Sequence, residues 1–374
     1  MRTRAAVLRE MGLPAPYATS APLTVTELEL APPGPGELLV RVHAAGLCHS
    51  DLSVIDGSRP RVMPMALGHE AAGEVVAVGG RSAFSVGDHV ALAFVPVCGA
   101  CGPCQDGRAA LCEPGAAANA AGTLLSGERR WVSPGDDVMH HHLGVSAFAE
   151  HVVVSERSAV RIDPALPYDL GALFGCAVLT GVGAAVYGAQ IRPGDSVAVF
   201  GLGGVGLAAL LGAVLCGAGR IVVVDRVQEK LDLARTLGAD AAVLADEDVV
   251  AAVRDATGGT GADVVLETVG NADVLGQAYA ATRRGGTTVT VGLPHPDRML
   301  TIPAVSLVAE ERTLKGSYLG SCVPARDIPR FIALHRAGRL PVEQLLTHRI
   351  GLDELNPAFD RLARGEGVRQ VVVL

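Results

Sequence analysis

The sequence predicts an α/β protein with a doubly wound parallel sheet joined to a second, mostly β domain. Three observations predict it. From Ser196 onward apolar strands alternate with helical segments, the pattern that crossover helices on a parallel sheet impose. Before that point the chain reads as short strands bounded by Gly or Pro, for example Glu37–Ala44 and Ala72–Val78. Its 374 residues, at about 150 per domain, suit two domains, each able to bury a core.

Taken in order, Met1–Pro14 carries Arg2, Arg4 and Arg9 with no long apolar run behind them, so no secretory signal is expected there. The alanine-rich patch Ala116–Ala121 reads as a loop. Two stretches, Leu170–Ile191 and Ser196–Gly219, lack any charged residue and are long enough to suggest membrane spans. Gly201, Gly203, Gly204 and Gly206 argue against a continuous helix in the second. Arg192-Pro193-Gly194-Asp195 reads as a turn before a buried strand. The expectation is therefore a buried core in a cytoplasmic protein. Ser196–Gly201 is the first strand of the repeating pattern, with a helix running from Gly206 to Gly219. Arg220–Asp225 is the next strand, followed by a helix over Gln228–Leu237 and strands at Ala262–Glu267 and Gly286–Gly292. After about Ser321 the character is mixed again, ending in a strand at Arg369–Leu374.

Hydrophobic residues make up 49% and charged residues 19%, which excludes a disordered chain. A net charge of -8, from 31 basic and 39 acidic residues, offers no footprint for a phosphate backbone or an anionic bilayer. The expected partner is a small molecule, with no nucleic acid and no membrane. Lysine occurs only at Lys230 and Lys315, so a lysine near a motif carries weight.

Gly201-Leu202-Gly203-Gly204-Val205-Gly206 fits G-x-G-x-x-G. Alone it is weak in a chain with 46 glycines. Its context strengthens it: it follows a β-branched strand, opens a helix, and precedes a second strand ending in Asp225. Such glycines let the backbone approach a pyrophosphate, the helix amino terminus favours negative charge, and the acidic residue accepts from ribose hydroxyls. A carboxylate there repels a 2′-phosphate, which favours NAD over NADP. Lys230 follows five residues later and suits a place beside the adenosine ribose. The same pattern also fits a glycine-rich turn without ligand.

Eight cysteines without a secretory signal point to metal ligands or buried hydrophobes rather than disulfides. Cys98, Cys101, Cys104 and Cys112 form C-x2-C-x2-C-x7-C. This spacing wraps a tetrahedral ion in four thiolates and leaves no open position, so the zinc it suits is structural. An iron–sulfur cluster is the chief rival, weakened by the late fourth cysteine, and paired disulfides are a third reading. Cys48, His69 and Cys176 lie apart in sequence, and each singly fits core packing.

Through Gly46–Asp51 (GLCHSD), Gly68–Val75 (GHEAAGEV), the four-cysteine knuckle, Phe174–Gly181 (FGCAVLTG), Gly201–Gly206 (GLGGVG) and Gly365–Arg369 (GEGVR), the chain resembles the zinc-containing, medium-chain alcohol dehydrogenases over essentially its whole length, particularly their longer liver-type branch. The resemblance implies a Rossmann doubly wound parallel sheet at 178–321 and a mostly β, GroES-like catalytic domain at 1–177 and 322–374. It implies two zinc ions per chain, the second held by Cys48, His69 and Cys176 with a fourth position open for water or substrate. Asp51 would orient His69, and Glu70 would lie behind the metal. His49 and Arg369 would contact the pyrophosphate, Thr180 would touch the nicotinamide, and Val291 would join the NAD site. Ser50 would take the alcohol proton while hydride leaves for the nicotinamide. Phe94, His142, Leu143, Leu293 and Tyr318 would line the substrate channel, with Arg59 near its mouth. That mostly apolar lining suits a primary or arylalkyl alcohol. A homodimer would pair edges near Thr301–Ser317.

Two departures from the family stand out. Ser53 replaces a histidine frequent at the outer end of the proton relay. Gly115-Ala116-Ala117 stands where the branch acting on glutathione adducts places an arginine. An aldehyde, thiol-adduct or polyol dehydrogenase of the same fold is the alternative enzyme. A non-catalytic zinc- and nucleotide-binding protein is the alternative of another class.

Overall fold

Unbroken runs of β-branched residues set the second half of the chain. Strands buried on both faces need no polar alternation, and Ile221, Val222, Val223 and Val224 are each at most 3% exposed. Burying one such side chain contributes about 1.5–3 kcal/mol. In the computed structural model, which describes residues 1–132, 138–245 and 248–374, these runs build one six-stranded parallel sheet. Its strands are β1 (Ser196–Phe200), β2 (Arg220–Asp225), β3 (Ala241–Leu244), β4 (Ala262–Glu267), β5 (Thr282–Thr290) and β6 (Thr313–Gly316). They lie in the order β3-β2-β1-β4-β5-β6, every pairing parallel. The order reverses between β1 and β4, and such a switch point opens a crevice at the carboxyl ends of the strands. The strand expected at Gly286–Gly292 is β5, which begins four residues earlier at Thr282. This is the doubly wound sheet that the alternating pattern predicts.

This sheet belongs to a unit comprising Ala177–Cys322 and Leu334–Leu345. The other unit comprises Met1–Cys176, Val323–Ala333 and Leu346–Leu374, and it is mostly β. A five-stranded sheet there runs in the order Trp131–Val132, Leu23–Leu30, Arg2–Leu8, Met65–Ala66, His140–His141. A second sheet runs Ala159–Arg161, His89–Leu92, Ala71–Val78, Glu37–Gly46, Arg369–Val373, Leu346–Ile350, and His151–Ser155 also pairs with Glu37–Gly46. The end of the chain thus completes a sheet begun near its start, with Val372 opposite Ala45. Leu8, Leu38, Val40, Phe148 and Phe359 lie among the fully buried residues of this unit's core.

The two charge-free stretches fold into buried pieces. Leu170–Ile191 contains the end of helix Tyr168–Leu173, helix Ala177–Gly183 and a π-helical turn at Ala184–Ala189. Ser196–Gly219 holds β1 and helix Gly204–Leu215. Among the described residues no helix is long and apolar enough to cross a membrane.

One local expectation fails. Ala116–Ala121 is not a loop but most of helix Glu113–Ala121. Alanine is the best helix former, and this helix also has a start and a stop. Cys112 Sγ accepts from the Gly115 N–H, Pro114 occupies the first turn, and Gly122 ends the helix at φ 65°. Asn119 on this helix donates to the Phe94 carbonyl at 2.8 Å, fixing the backbone of an expected pocket residue.

Candidate active site

Three separated segments of the mostly β unit deliver one ligand each. Strand Glu37–Gly46 leads to Cys48, whose extended backbone (φ -138°, ψ 156°) precedes helix His49–Ile55. Ser50 and Asp51 therefore fall in that helix's first turn, beside the thiol. His69 follows Gly68, whose φ is +92°. A Cβ at Gly68 would lie 2.5 Å from the Phe148 nitrogen, so only glycine lets the chain turn there. Cys176 comes just after helix Tyr168–Leu173. Ligand atoms of Cys48, His69 and Cys176 lie within 4.8 Å of one another, and all three residues are buried.

His69 Nδ1 is 3.1 Å from Asp51 Oδ1 and 3.0 Å from Oδ2. A neutral imidazole that donates from Nδ1 offers a lone pair at Nε2. His69 Nε2 is buried and has no hydrogen-bond partner among the described residues. Two thiols and one orphaned imidazole nitrogen, buried and convergent, are donors that could hold a zinc ion. Burial alone would lower the His69 pKa, but the Asp51 carboxylate, by charge and hydrogen bond, holds it well above the usual imidazole range. Cys48 is held well below the usual thiol range, first by a hydrogen bond from Cys176, while Cys176 is correspondingly pushed up. A divalent cation held by these residues would displace the shared protons.

Asp51 is fully buried. Burial would raise its pKa, yet His69 and His142 keep the carboxyl below its ordinary value. His142 Nδ1 lies 3.1 Å from Asp51 Oδ1, and the Gly68 N–H donates to the same oxygen at 3.3 Å. His142, expected in the channel wall, is thus placed against the carboxylate and edge-on to His69 at 5.7 Å. Phe94 also meets His69 edge-on, at 5.5 Å. Leu143 is buried with φ 52°, and Arg59 is half-buried, its N–H donating to the Ser53 carbonyl. Cys48 Sγ is 3.8 Å from Ser50 Oγ, so the hydroxyl stands at the ligand set. Ser53 Oγ donates to the His49 carbonyl at 2.8 Å.

Glu70 is ion-paired with Arg369, both buried. Burial pushes Glu70 up to about 7 against the pull of Arg369. Arg369 also donates to the Leu47 carbonyl at 2.9 Å. Of the two residues the resemblance assigns to the pyrophosphate, His49 is exposed and Arg369 is 4% exposed.

In the knuckle, Cys101 Sγ is 3.4 Å and Cys98 Sγ 3.9 Å from Cys104 Sγ. Four sulfurs about 2.3 Å from a central zinc stand about 3.8 Å apart, whereas a disulfide is about 2.05 Å. The spacing fits the ion, and all eight cysteines are free thiols. Backbone N–H groups of Ala100 and Cys101 point at Cys98 Sγ and pull it down to about 6, while burial pushes Cys104 up to about 12. Such N–H···S contacts favour thiolates.

On the parallel-sheet unit, Gly201 turns at φ +87° after β1, and Gly203 precedes helix Gly204–Leu215, with Val205 and Gly206 in its first turn. Asp225 ends β2. Its two oxygens accept from the Leu202 N–H at 2.6 Å and the Val227 N–H at 2.9 Å. Each carboxylate oxygen keeps a lone pair for a ribose hydroxyl. Lys230 is half-buried, and burial lowers its pKa against the pull of Asp225. Thr180 is 8% exposed, and its hydroxyl has no partner among the described residues. The Val291 N–H donates to the Glu267 carbonyl at 2.8 Å, while Leu293 and Tyr318 are exposed. Sequence reading does not single out Glu267, a buried carboxylate accepting from Val269 N, Gly270 N and Thr290 Oγ1. The signal is an acidic residue directly after the apolar run Val264–Leu266.

Known proteins share both halves of this chain. Residues 34–164 match the family described as alcohol dehydrogenase GroES-like domain, and residues 204–336 the family described as zinc-binding dehydrogenase. Geraniol dehydrogenase of Castellaniella defragrans is 39% identical over 374 residues, covering 99% of this chain and 97% of that protein. S-(hydroxymethyl)glutathione dehydrogenase of Escherichia coli is 35% identical over 381 residues, with 100% of each covered. The crystal structure of benzyl alcohol dehydrogenase from Acinetobacter calcoaceticus aligns with a TM-score of 0.92 at 30% identity, covering 100% of this chain and 99% of that one.

Metal analysis of the purified protein should return two zinc ions per chain. Cys101→Ser should remove one and lower the melting temperature by at least about 5 °C, because the knuckle ligands converge only in the folded loop. One zinc in the parent, or an iron cluster, contradicts the assignment.

Proposed function

The chain belongs to the zinc-containing, medium-chain alcohol dehydrogenase family, and from that premise we propose that it oxidises an apolar primary or arylalkyl alcohol to its aldehyde with NAD, at Cys48, His69 and Cys176. The observation that carries the reading is the buried three-ligand set with the Ser50 hydroxyl beside it. A purely structural site would have a fourth protein ligand. The aromatic ring packed on His69 and the buried Leu143 support an apolar substrate, as do the relatives named for geraniol and benzyl alcohol. The relative named for a glutathione adduct supports the thiol-adduct alternative. Against it, helix Glu113–Ala121 directly after the knuckle carries Glu113 and no basic residue, an unsuitable neighbour for an anionic adduct.

The zinc supplies a Lewis acid for the alcohol oxygen, and the nicotinamide supplies the hydride acceptor. The protein's own part is orientation and proton transfer. Two thiolates and one neutral imidazole offset the charge of the cation, and Asp51 fixes the imidazole tautomer that makes this possible. Ser50 Oγ accepts the alcohol proton as its own proton passes outward, through water or the exposed His49. Ser53 is a poor next carrier, because its hydroxyl already donates to the His49 carbonyl and a serine holds no net proton near neutral pH. Phe94 and Leu143 exclude water from the reacting carbon. Of the residues proposed to contact NAD, Thr180, Gly201, Gly203, Gly204, Val205, Gly206, Asp225, Lys230 and Val291 belong to the parallel-sheet unit, and His49 and Arg369 to the mostly β unit. Of the proposed substrate-contacting residues, Arg59, Leu293 and Tyr318 set the outer selectivity.

A homodimer accompanies this reading. β6 is an edge strand, and Met299, Val305 and Val308 before it are 83%, 70% and 81% exposed. An apolar edge of this kind suits isologous pairing, and light scattering at twice the chain mass checks it. Free thiols throughout suit a reducing compartment, and we place the enzyme in the cytoplasm.

Asp225→Ala should weaken NAD binding about tenfold and narrow the gap to NADP, since it removes both the ribose acceptor and the repulsion of a 2′-phosphate. A parent enzyme that already prefers NADP sinks this argument. For the proton path, Ser50→Ala should depress alcohol oxidation about a hundredfold or more at every pH while zinc content stays at the parent value. Ser53→His should raise the rate below about pH 7.5 and change little above it, because an imidazole with pKa near 6.5 carries protons where solvent base is scarce. Superimposable pH–rate profiles of Ser53→His and parent would show that this outer position does not govern turnover.

A further inference from the structure

Resting on the nucleotide-site reading above, we infer that the Thr268 hydroxyl is a positioning group for NAD, pinning the glycine-rich turn from the side opposite Asp225. Thr268 does not belong to the glycine motif and lies 62 residues beyond its last glycine, Gly206.

β1 ends at Phe200, where the chain leaves the sheet and turns at Gly201. On the β2 side the turn is tied by the Gly201 N–H, which donates to the Val224 carbonyl at 2.8 Å, and by Leu202, which donates to Asp225. On the β4 side the ladder is continued by one residue. The Thr268 N–H donates to the Phe200 carbonyl at 3.0 Å. Thr268 Oγ1 lies 3.0 Å from the Phe200 carbonyl oxygen and 3.0 Å from that of Gly201. A hydroxyl has one hydrogen to share between them. Because the backbone N–H already serves Phe200, the hydroxyl's separate contribution is to Gly201.

The last glycine of the motif closes the same contact. A Cβ at Gly206 would lie 1.8 Å from the Gly201 oxygen and 2.8 Å from Thr268 Oγ1. The carbonyl, the hydroxyl and the start of the helix thus share one small space. Thr268 is itself held firmly, because Glu267 gathers the N–H groups of Val269 and Gly270, each at 2.7 Å, and the Thr290 hydroxyl at 2.8 Å. The loop that follows runs against the segment carrying Val291 and Leu293: a Cβ at Gly292 would lie 2.1 Å from the Gly270 nitrogen. A fixed point therefore sets the turn whose N–H groups must face the pyrophosphate. A turn free to leave that conformation binds with an affinity reduced by the fraction of time it is absent.

Thr268→Val removes the hydroxyl and keeps shape and branching; Thr268→Ser keeps the hydroxyl; Thr268→Ala removes it without crowding. Titration of each zinc-loaded protein with NAD, followed by calorimetry, should show the dissociation constant raised about three- to tenfold in Thr268→Val and Thr268→Ala. Thr268→Ser should stay within about twofold of the parent. The alcohol KM at saturating NAD and the zinc content should not move. A merely structural role would lower the melting temperature of Thr268→Val and Thr268→Ala and leave the NAD constant at the parent value, which overturns the inference. So does a serine variant as weak as the valine one. A parent protein that binds no NAD is a separate result: it refutes the nucleotide site, and this inference with it.

Discussion

A carboxylate with no access to water sits at the centre of the catalytic unit. Asp51 is fully buried, and an unpaired ion in that position costs several kcal/mol. The fold satisfies it with His69, with His142 and with the Gly68 N–H. Satisfying Asp51 turns His69 so that Nδ1 is engaged and Nε2 is left toward the cysteines. A stability requirement of the core and a coordination requirement of the metal are thereby met by the same hydrogen bond. Gly68 belongs to this arrangement because its left-handed turn brings both its own N–H and the His69 ring to the carboxylate. Behind the site, the Glu70–Arg369 pair joins the segment after Gly68 to the closing strand of the chain.

The nucleotide unit solves a similar problem with backbone instead of side chains. Its turn must expose N–H groups to an anion, so its carbonyls need partners elsewhere, and its glycines are the places where those partners come too close for a Cβ. Asp225, the residue proposed to meet the ribose, both ties Leu202 and ends β2. Glu267, buried at the end of β4, does the corresponding work for the neighbouring loop. In each unit a buried acid, Asp51 in the first turn of its helix and Glu267 at the end of β4, accepts backbone N–H groups beside the proposed site.

The legible parts of the sequence were those in which local pattern and tertiary role coincide. The strands Arg220–Asp225 and Ala262–Glu267 are built on the buried apolar runs Ile221–Val224 and Val264–Leu266, and their expected bounds agree with the structure residue for residue. The cysteine knuckle is legible because one loop supplies all four ligands. Cys48, His69 and Cys176 are separated by about twenty and about a hundred residues in the chain, and no spacing rule reaches that far. Only the family resemblance joined them. Composition alone makes Ala116–Ala121 read as a loop, whereas the cap at Cys112 and the stop at Gly122 make it a helix. Thr268 and Glu267 gave no motif signal, because their roles depend on β4 lying beside β1, which is a property of strand order.

In the proposed site Cys48, His69 and Cys176 hold a metal with one position left for the alcohol. Replacing the zinc at this site by cobalt turns its coordination into a visible spectrum without changing the protein. With NAD bound, adding a non-reacting apolar analogue of the alcohol should shift the cobalt–thiolate bands at one equivalent per chain, and the shift should be absent when His69 is replaced by Ala. A spectrum unmoved by saturating analogue would mean a closed, four-ligand site, and would contradict the account.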